Sequence, residues 1–271
     1  MKTNELEKIS KKIKGKLIEI SNQCRISHLG SSLSCVDILV ACYWSAMKID
    51  PSDPYDMNRD RLILSKGHAA PALYTTLAYK QFFDESLLMT IGKKESPLEE
   101  HPGLQCVPGV EAATGSLGHG LSIANGMAIA SRIFNQHFQI FVVLGDGECN
   151  EGSVWEAAMF ASKQQLDNIV TIIDFNKWQA TGRSCEIMKL EPLYDKWKAF
   201  GWDCHEIDGH DLNALTRTMS SVSTKDGTPT VIIAHTVKGK GVSFMEDDNN
   251  WHYRIPNNDE VLRARQELGL V

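Results

Sequence analysis

Two apolar runs near the middle of the chain each end on residues that bind hard cations. Ile140-Phe-Val-Val-Leu144 leads into Gly145-Asp146-Gly147, and Ile169-Val-Thr-Ile-Ile173 leads into Asp174-Phe-Asn176. A helical stretch, Glu151 to Gln165, lies between them. The pattern reads as strand, helix, strand, and it predicts two oxygen ligands at neighbouring strand ends. Mg²⁺ is usually held by one or two protein oxygens together with substrate phosphates. Asp146 can supply a carboxylate, Asn176 a side-chain carbonyl and Trp178 a backbone carbonyl. Phosphate oxygens and a water would complete an octahedral site. Gly145 and Gly147 leave room for close backbone approach, because neither has a Cβ. Alone, Gly-Asp-Gly is an ordinary turn and Asn176 an ordinary cap. The apolar strands before both, and their spacing, give them a ligand role, because open parallel sheets bind ligands at the carboxyl ends of their strands.

The histidines point to the same kind of site. Most of the nine sit beside Gly or Pro at predicted loops or helix starts: His28-Leu-Gly-Ser31, Gly67-His68-Ala69, His101-Pro-Gly103, Gly118-His119-Gly120 and Trp251-His252. A lone histidine is commonly just a satisfied hydrogen-bonding group. Several beside small residues let a ligand approach the backbone, and imidazole can donate, accept or shuttle protons near neutral pH. Their spacing and lack of acidic partners do not suggest zinc.

These residues need a scaffold, and the rest of the chain supplies one. Period and breaker residues predict strands at Arg61–Leu64, Gln139–Leu144, Asn168–Asp174, Asp203–Ile207 and Thr230–Ala234. They predict helices at Glu5–Gln23, Cys35–Met47, Ala69–Lys80, Leu121–Phe134, Ser153–Gln165, Tyr194–Phe200, Leu212–Ser221 and Asp259–Glu267. Strands alternating with helices argue for a parallel sheet covered on both faces, in a single domain over residues 1–271. Asp84 to Val110 is the longest irregular stretch, and long loops in compact domains are often functional. Lys238 to Asn258 also reads as a polar loop.

Composition narrows the class. With 271 residues and 42% hydrophobic content the chain can bury one large core. The net charge of −6 leaves no basic footprint for nucleic acid. The lysines between Lys8 and Lys16 read as a solvated helix face, with Leu6, Ile9, Ile13, Leu17 and Ile20 as the buried stripe. Seven scattered cysteines without a Cys-x-x-Cys pair predict a reducing, cytoplasmic setting, and Cys149 reads as a packing residue. No signal peptide is expected from a start charged throughout, and no membrane span from the apolar runs.

Taken together, the motifs become specific. Gly-Asp-Gly followed by a spaced Asn resembles the thiamine diphosphate signature. The chain closely resembles the N-terminal, diphosphate-binding portion of transketolase through His28-Leu-Gly-Ser31, Leu64-Ser-Lys-Gly-His68-Ala-Ala-Pro71, Thr114-Gly-Ser-Leu-Gly-His-Gly120, Gly145-Asp-Gly147 with Asn150-Glu-Gly152, Asp174-Phe-Asn-Lys177, Lys238-Gly-Lys-Gly241, Glu246-Asp-Asp248 and Trp251-His252. These stand in the family's order over most of the chain. The resemblance implies an α/β fold: an open, mainly parallel sheet with helices on both faces, the diphosphate-binding domain of the thiamine diphosphate-binding fold. It implies that Asp146, Asn176 and the Trp178 carbonyl hold Mg²⁺. Lys66, His68, Gly147 and Lys238 would lie by the diphosphate, and Gly115, Ser116 and Leu117 by the thiamine rings. His28, Ser31, His101 and His252 would line the substrate channel, with the three histidines assisting proton movement. Glu151, also a cofactor contact, and Glu156 match carboxylates near a subunit contact, and His252 would reach the cofactor too.

Two positions depart from the pattern. Tyr253-Arg254 stands where the family often has Gly after the last histidine. The pair could narrow the entrance or add a cation for an anionic group; equally, Tyr253 could pack and Arg254 be solvated. His119 stands where the family often has Gln, and is expected to have no catalytic role.

The resemblance also shows what is missing. A whole transketolase is more than twice this length, and its middle domain grips the aminopyrimidine and supplies the activating glutamate. The expectation is therefore a split transketolase. This chain would be the N-terminal subunit, active only with a partner carrying the pyrimidine-binding and C-terminal domains, in a complex of two of each. It would transfer a two-carbon ketol unit between sugars or sugar phosphates. Alternatives are a subunit of a 2-oxo acid dehydrogenase, a deoxyxylulose phosphate synthase, or a non-catalytic scaffold keeping the cofactor pocket. The histidine set favours transketolase over the dehydrogenase. A nucleotide-binding Rossmann protein is disfavoured, because Gly115-x-x-Gly118-x-Gly120 lacks the fingerprint spacing and a preceding strand.

Overall fold

The computed structural model describes residues 1–222 and 226–271. Among them, five strands form one sheet: β1 (Arg61–Leu64), β2 (Ile140–Gly145), β3 (Ile169–Phe175), β4 (Asp203–Asp208) and β5 (Thr230–His235), in the order β1-β2-β3-β5-β4. Every pairing is parallel. The helices are α1 (Thr3–Cys24), α2 (Leu29–Ser34), α3 (Val36–Ala41), α4 (Ala70–Tyr79), α5 (Gly120–Ile133), α6 (Gly152–Lys163), α7 (Ser184–Ile187), α8 (Leu193–Ala199), α9 (Leu212–Ser220) and α10 (Asn258–Glu267).

The alternating side chains of the strands feed two cores, as the period of two requires. Phe141, Val143, Val170, Ile172 and Ile232 point into one, with α1 to α4, α9 and α10. Ile140, Val142, Leu144, Ile169, Ile173 and Ile233 point into the other, with α5, α6 and α8. β2 and β3 are buried along their whole length, which explains their largely apolar sequence, interrupted in β3 by Thr171 and Asp174. β4 lies at the edge, half exposed, and its sequence, Asp-Cys-His-Glu-Ile-Asp, is correspondingly polar. Each fully buried Val, Leu or Ile contributes about 1.5–3 kcal/mol, so the central strands are a stiff base for whatever sits at their ends.

The expected strands hold to within a residue, and most helices to within two. The helix expected at Cys35–Met47 stands as α3 continued by a π-helical turn at Cys42–Ala46; what was not expected is α2 before it, set off from α3 by a break at Cys35 (φ −94°, ψ 1°). The cause is the Ser31 carbonyl. It accepts from Lys66 Nζ at 2.9 Å and Ser34 Oγ at 3.0 Å, while the Cys35 N–H turns to Leu33. Side chains have taken a carbonyl that a continuous helix would need. The run Leu29–Ala46 reaches a mean hydropathy of 1.3 over 18 residues, a length of apolar chain that the sequence did not lead us to expect; 83% of it is buried inside the fold. It is core.

Candidate active site

Strand register creates the site. Gly145 pairs with Asp174, and Leu64 with Val143. Asp146 therefore follows β2 directly, Asn176 follows β3, and Ser65-Lys66 follow β1, all at the carboxyl ends. Asp146 is buried and accepts a hydrogen bond from Ser184 Oγ at 2.6 Å. Burial pushes its carboxyl up to about 6, against the pull of that hydroxyl. The Asn176 amide is oriented from both sides. Its Nδ2 donates to Asp174 Oδ2 (3.3 Å) and Ser34 Oγ (3.4 Å), and its Oδ1 accepts the Trp178 N–H (3.1 Å). Between them Lys177 takes a left-handed backbone, φ 69°, which turns the chain back over the pocket. A Cβ on Gly147 would meet Gln179 Cγ at 2.8 Å, so any larger residue there would force the Gln179 side chain to move. Gly145 is different: a Cβ would meet nothing in this chain closer than 3.9 Å.

Behind these residues lies a buried ion pair, Lys66–Asp174. Burial alone would neutralise both groups. Asp174 instead holds Lys66 above its ordinary value, while Lys66, Ser34 and Thr236 hold Asp174 below its own. Lys66 lines the pocket, but its ammonium is committed to Asp174 and the Ser31 carbonyl.

The histidines converge from three elements. His28 heads α2 with a left-handed backbone (φ 63°), held by its N–H on the His252 carbonyl at 2.7 Å. Its ring centroid lies 4.9 Å from His252, 5.5 Å from His68 and 6.4 Å from His101. Burial, with help from neighbouring His101 and Lys238, lowers the His28 pKa to about 4. Burial and Lys238 lower that of His252 to about 3, and burial holds His68 far below its ordinary value. All three imidazoles are neutral at pH 7, suited to exchanging hydrogen bonds with hydroxyls. Lys238 supports His252 at 2.9 Å and Asn249 Oδ1 at 2.7 Å; burial first, then Lys66, lowers its pKa to about 8.

A second loop closes one side. Glu148 is buried and accepts from Ser65 Oγ, the Gly118 N–H (2.9 Å) and the Gly145 N–H (3.1 Å). Ser65 Oγ in turn accepts the Gly120 N–H at 3.1 Å. This network fastens the 114–120 loop to the Gly-Asp-Gly turn. Gly115, φ 147°, lets His101 approach, since a Cβ would meet the imidazole Cδ2 at 2.9 Å. Opposite, Arg183 lies over the Trp178 ring (3.8 Å) and grips Asp247 at 2.6–2.7 Å, while Trp178 Nε1 donates to Asp247 (2.8 Å).

The result is a cavity of about 320 Å³. His28, Ser31, Lys66, His68, Gly115 and Leu117 line it, as do Asp146, Gly147, Glu151, Asn176, Trp178 and His252. Three expected residues stand back from the lining: His101 at the rim, exposed; Ser116 on the surface; and Lys238 behind His252. Glu156 is exposed on α6. His119 hydrogen-bonds the Ser116 and Leu117 carbonyls (3.2 and 3.1 Å) and caps the loop. Cys149 is fully buried among apolar side chains. Arg254 is no free cation: it pairs with Glu260 and stacks on Trp251 at 4.4 Å. Sequence reasoning missed Asp174 as the counter-ion of Lys66, and Ser34, Glu148, Ser184 and Asp247 as supports. Of these, Asp174 and Asp247 stood within motifs, where nothing marked them as supports, and Glu148 stood directly after one.

Residues 7–271 match the family described as "Transketolase, thiamine diphosphate binding domain". The chain is 41% identical over 268 residues to an apulose-4-phosphate transketolase subunit of Phocaeicola vulgatus, covering 99% of this chain and 95% of that one. It is 44% identical over 221 residues to the 6-deoxy-6-sulfo-D-fructose transketolase subunit SqwG of Clostridium sp. (strain MSTE9), covering 82% and 80%. The crystal structure of transketolase from Campylobacter jejuni superposes with a TM-score of 0.92 at 28% identity, over 99% of this chain and 43% of that one. The chain thus spans less than half the length of that solved transketolase. On the match over nearly all its residues, and on the two subunit-length relatives, the chain belongs to the transketolase family, as its thiamine diphosphate binding domain.

Proposed function

We propose that this chain is the cofactor-binding subunit of a two-chain transketolase. It would move a two-carbon ketol unit from a ketose or ketose phosphate to an aldose, with thiamine diphosphate and Mg²⁺. The observation that carries the reading is the joining of two unlike sets of groups in one cavity. At one end stand Asp146, Asn176 and Trp178; at the other stand neutral His28, His68 and His252.

The first set fits a hard cation. One desolvated carboxylate, one amide oxygen and one backbone carbonyl leave coordination positions for phosphate oxygens, as Mg²⁺ sites do. The charge on Asp146 has only a hydroxyl to offset it among its side-chain partners, and a divalent cation would offset it fully. Gly147 and His68 would face the diphosphate, with Lys238 behind His252. Bound there, the cofactor supplies the carbanion chemistry. This chain's residues orient and shield. His28 and His252, neutral and within 4.9 Å of one another, would hold sugar hydroxyls and pass protons to and from them. Ser31 and His101 would contribute further along the channel.

No residue of this chain is assigned to the aminopyrimidine or to its activation, so the reading requires a partner. The names of the two relatives as transketolase subunits support that. A complex of two of each chain, in the cytoplasm, completes the proposal. The test is to isolate the chain from its native extract with whatever binds it and assay ketose donors with aldose acceptors, with and without thiamine diphosphate and Mg²⁺. Cofactor-dependent transfer by the complex and none by the single chain is expected. Ketol transfer by the lone chain at ordinary enzyme rates would overturn the two-chain part. A complex that consumed pyruvate but no ketose would overturn the transketolase reading.

A further inference from the structure

The strongest unexplained feature of the cavity is its outer wall. Tyr253 follows His252 directly, but the two residues differ sharply in setting: His252 is 7% exposed and Tyr253 63% exposed. The tyrosine ring leans against the histidines. Its centroid lies 4.7 Å from that of His252 at 73° and 5.8 Å from that of His28 at 61°, edge-to-face in both cases. It thus stands on the solvent side of the two imidazoles that line the cavity.

The wall is braced. Asn250 O accepts the N–H groups of Tyr253 (3.3 Å) and Arg254 (2.9 Å), closing a short turn. Arg254 anchors it by stacking on buried Trp251 and pairing with Glu260 of α10. Trp251 Nε1 donates to the Phe244 carbonyl at 3.0 Å. The His28 N–H, on the His252 carbonyl at 2.7 Å, ties the turn to α2. The turn that carries the ring is thus held in place. Arg254, the next residue, is already paired, so Tyr253 itself offers bulk and a hydroxyl.

We propose that Tyr253 is a specificity-determining residue that limits the length of the aldose acceptor, favouring short aldoses over long ones by closing the channel beyond His28 and His252. The proposal rests on the transketolase reading above. An aldose whose aldehyde reaches the cofactor must run outward past the histidines, so its distal carbons meet the tyrosine ring. Each added hydroxymethylene unit increases the conflict. The ring's bulk does this, so phenylalanine should serve as well, and alanine should not.

The test uses the assembled two-chain complex with one ketose donor. Glyceraldehyde, erythrose, ribose and glucose, all unphosphorylated, serve as acceptors of increasing length. The readout is the ratio of kcat/KM for glucose to that for glyceraldehyde, in wild type, Tyr253→Ala and Tyr253→Phe. Tyr253→Ala is expected to raise the ratio at least about tenfold, the discrimination that a methylene or two commands in a pocket, mainly through a lower KM for the long acceptor. Tyr253→Phe is expected to keep the wild-type ratio. An active wild type with a ratio unchanged in Tyr253→Ala overturns the role of Tyr253 alone. A Tyr253→Ala variant that loses its partner chain on gel filtration while its ratio stays fixed also overturns it, placing the ring in the contact between the two chains. A wild-type complex inert toward every acceptor overturns the transketolase reading and the role of Tyr253 with it.

Discussion

Both ends of the sheet hold a cavity, and the larger one is at the wrong end. At the amino ends, Asp60, Arg132, Gln139 and Asn168 border a space of about 460 Å³. At the carboxyl ends the histidine-lined space is about 320 Å³. What differs is how far the polar groups are already satisfied. Asp60 accepts the backbone N–H groups of Lys48 (2.6 Å) and Gln139 (2.8 Å), one on each oxygen, and so splices the start of the sheet. The Arg132 guanidinium is taken up by the carbonyls of Gln164 and Gln165. Across the sheet, Asp146 has one side-chain partner among the described residues, the Ser184 hydroxyl, besides the Gly147 N–H, and three neutral imidazoles face one another. Volume therefore does not identify a site in this fold. Polar groups left short of partners do, because burying them is costly unless a ligand completes them.

The sharpest way to break that comparison is to remove one carboxylate at each end. Asp146→Ala should cost the assembled complex more than about 100-fold in turnover, exceeding the 10–100-fold typical of residues that merely support a metal ligand. Asp60→Ala should leave turnover of the folded protein near wild type. It should lower stability by about 1–3 kcal/mol, the cost of orphaned buried donors. Steady-state rates and urea melts on both variants decide it. Equal loss of turnover in folded Asp60→Ala would erase the distinction between the two ends.

A second comparison sets one buried lysine–aspartate pair against another. Lys66–Asp174 lies under the site; Lys14–Asp37 joins α1 to α3. Removing Lys66 leaves Asp174 charged and fully buried with two hydroxyls and an amide, so Lys66→Met should cost about 3–5 kcal/mol. Lys14→Met should cost less. Asp37 would keep Ser10 Oγ at 2.5 Å and His210 Nδ1 at 2.7 Å. The His210 Nε2 accepts the Val237 N–H at 2.8 Å, so its Nδ1 carries the proton and donates to Asp37. Similar losses in urea melts would show that these extra partners contribute nothing.

The Asp37 cluster also predicts a pH dependence. Burial by itself would raise the Asp37 pKa, but Lys14, His210 and Ser10 bring it down to about 2 from an ordinary 3.8. A carboxyl with a depressed folded-state pKa adds stability that is complete above its unfolded value and is lost as pH falls through its folded value. About 2 kcal/mol should therefore disappear between pH 4 and pH 2. Asp37→Asn should lack that component, and melts across the window would reveal whether it does.

Why some of this was legible in the sequence and some was not follows from the same physics. The strands were readable because a sheet covered on both faces must be largely apolar, as in Val142 to Leu144 and in Ile172 and Ile173. The site's front was readable because Asp146, Asn176 and the histidines sit in short motifs whose spacing follows from the register. The back was not. Asp174 pairs with a lysine 108 positions away, and Lys14 with Asp37 across 23. No local pattern encodes such partners. Lys14 looked like one member of a solvated lysine run, yet it is 6% exposed. The break at Cys35 was hidden for the same reason, since distant Lys66 occupies the carbonyl that the helix would have used.

Ser184 carries the finest form of the comparison. It stands at the start of the short helix α7, 38 positions from Asp146, and gives that carboxylate its one side-chain hydrogen bond. The Ser184 backbone N–H bonds the Lys177 carbonyl at 3.0 Å independently of the side chain. Ser184→Ala therefore removes the hydroxyl while leaving the loop fastened. If Asp146 is an incomplete group awaiting a cation, freeing its second oxygen should loosen its aim, not the fold. Mg²⁺ titrated into the assembled complex with thiamine diphosphate should bind about tenfold more weakly, at the lower end of what supporting residues contribute. The unfolding free energy should fall by no more than about 1 kcal/mol for the lost hydrogen bond. Unchanged Mg²⁺ affinity together with a clear loss of stability would make Ser184 a fold residue like the donors on Asp60, and would remove the strongest local sign that the carboxyl end of the sheet is built around an ion.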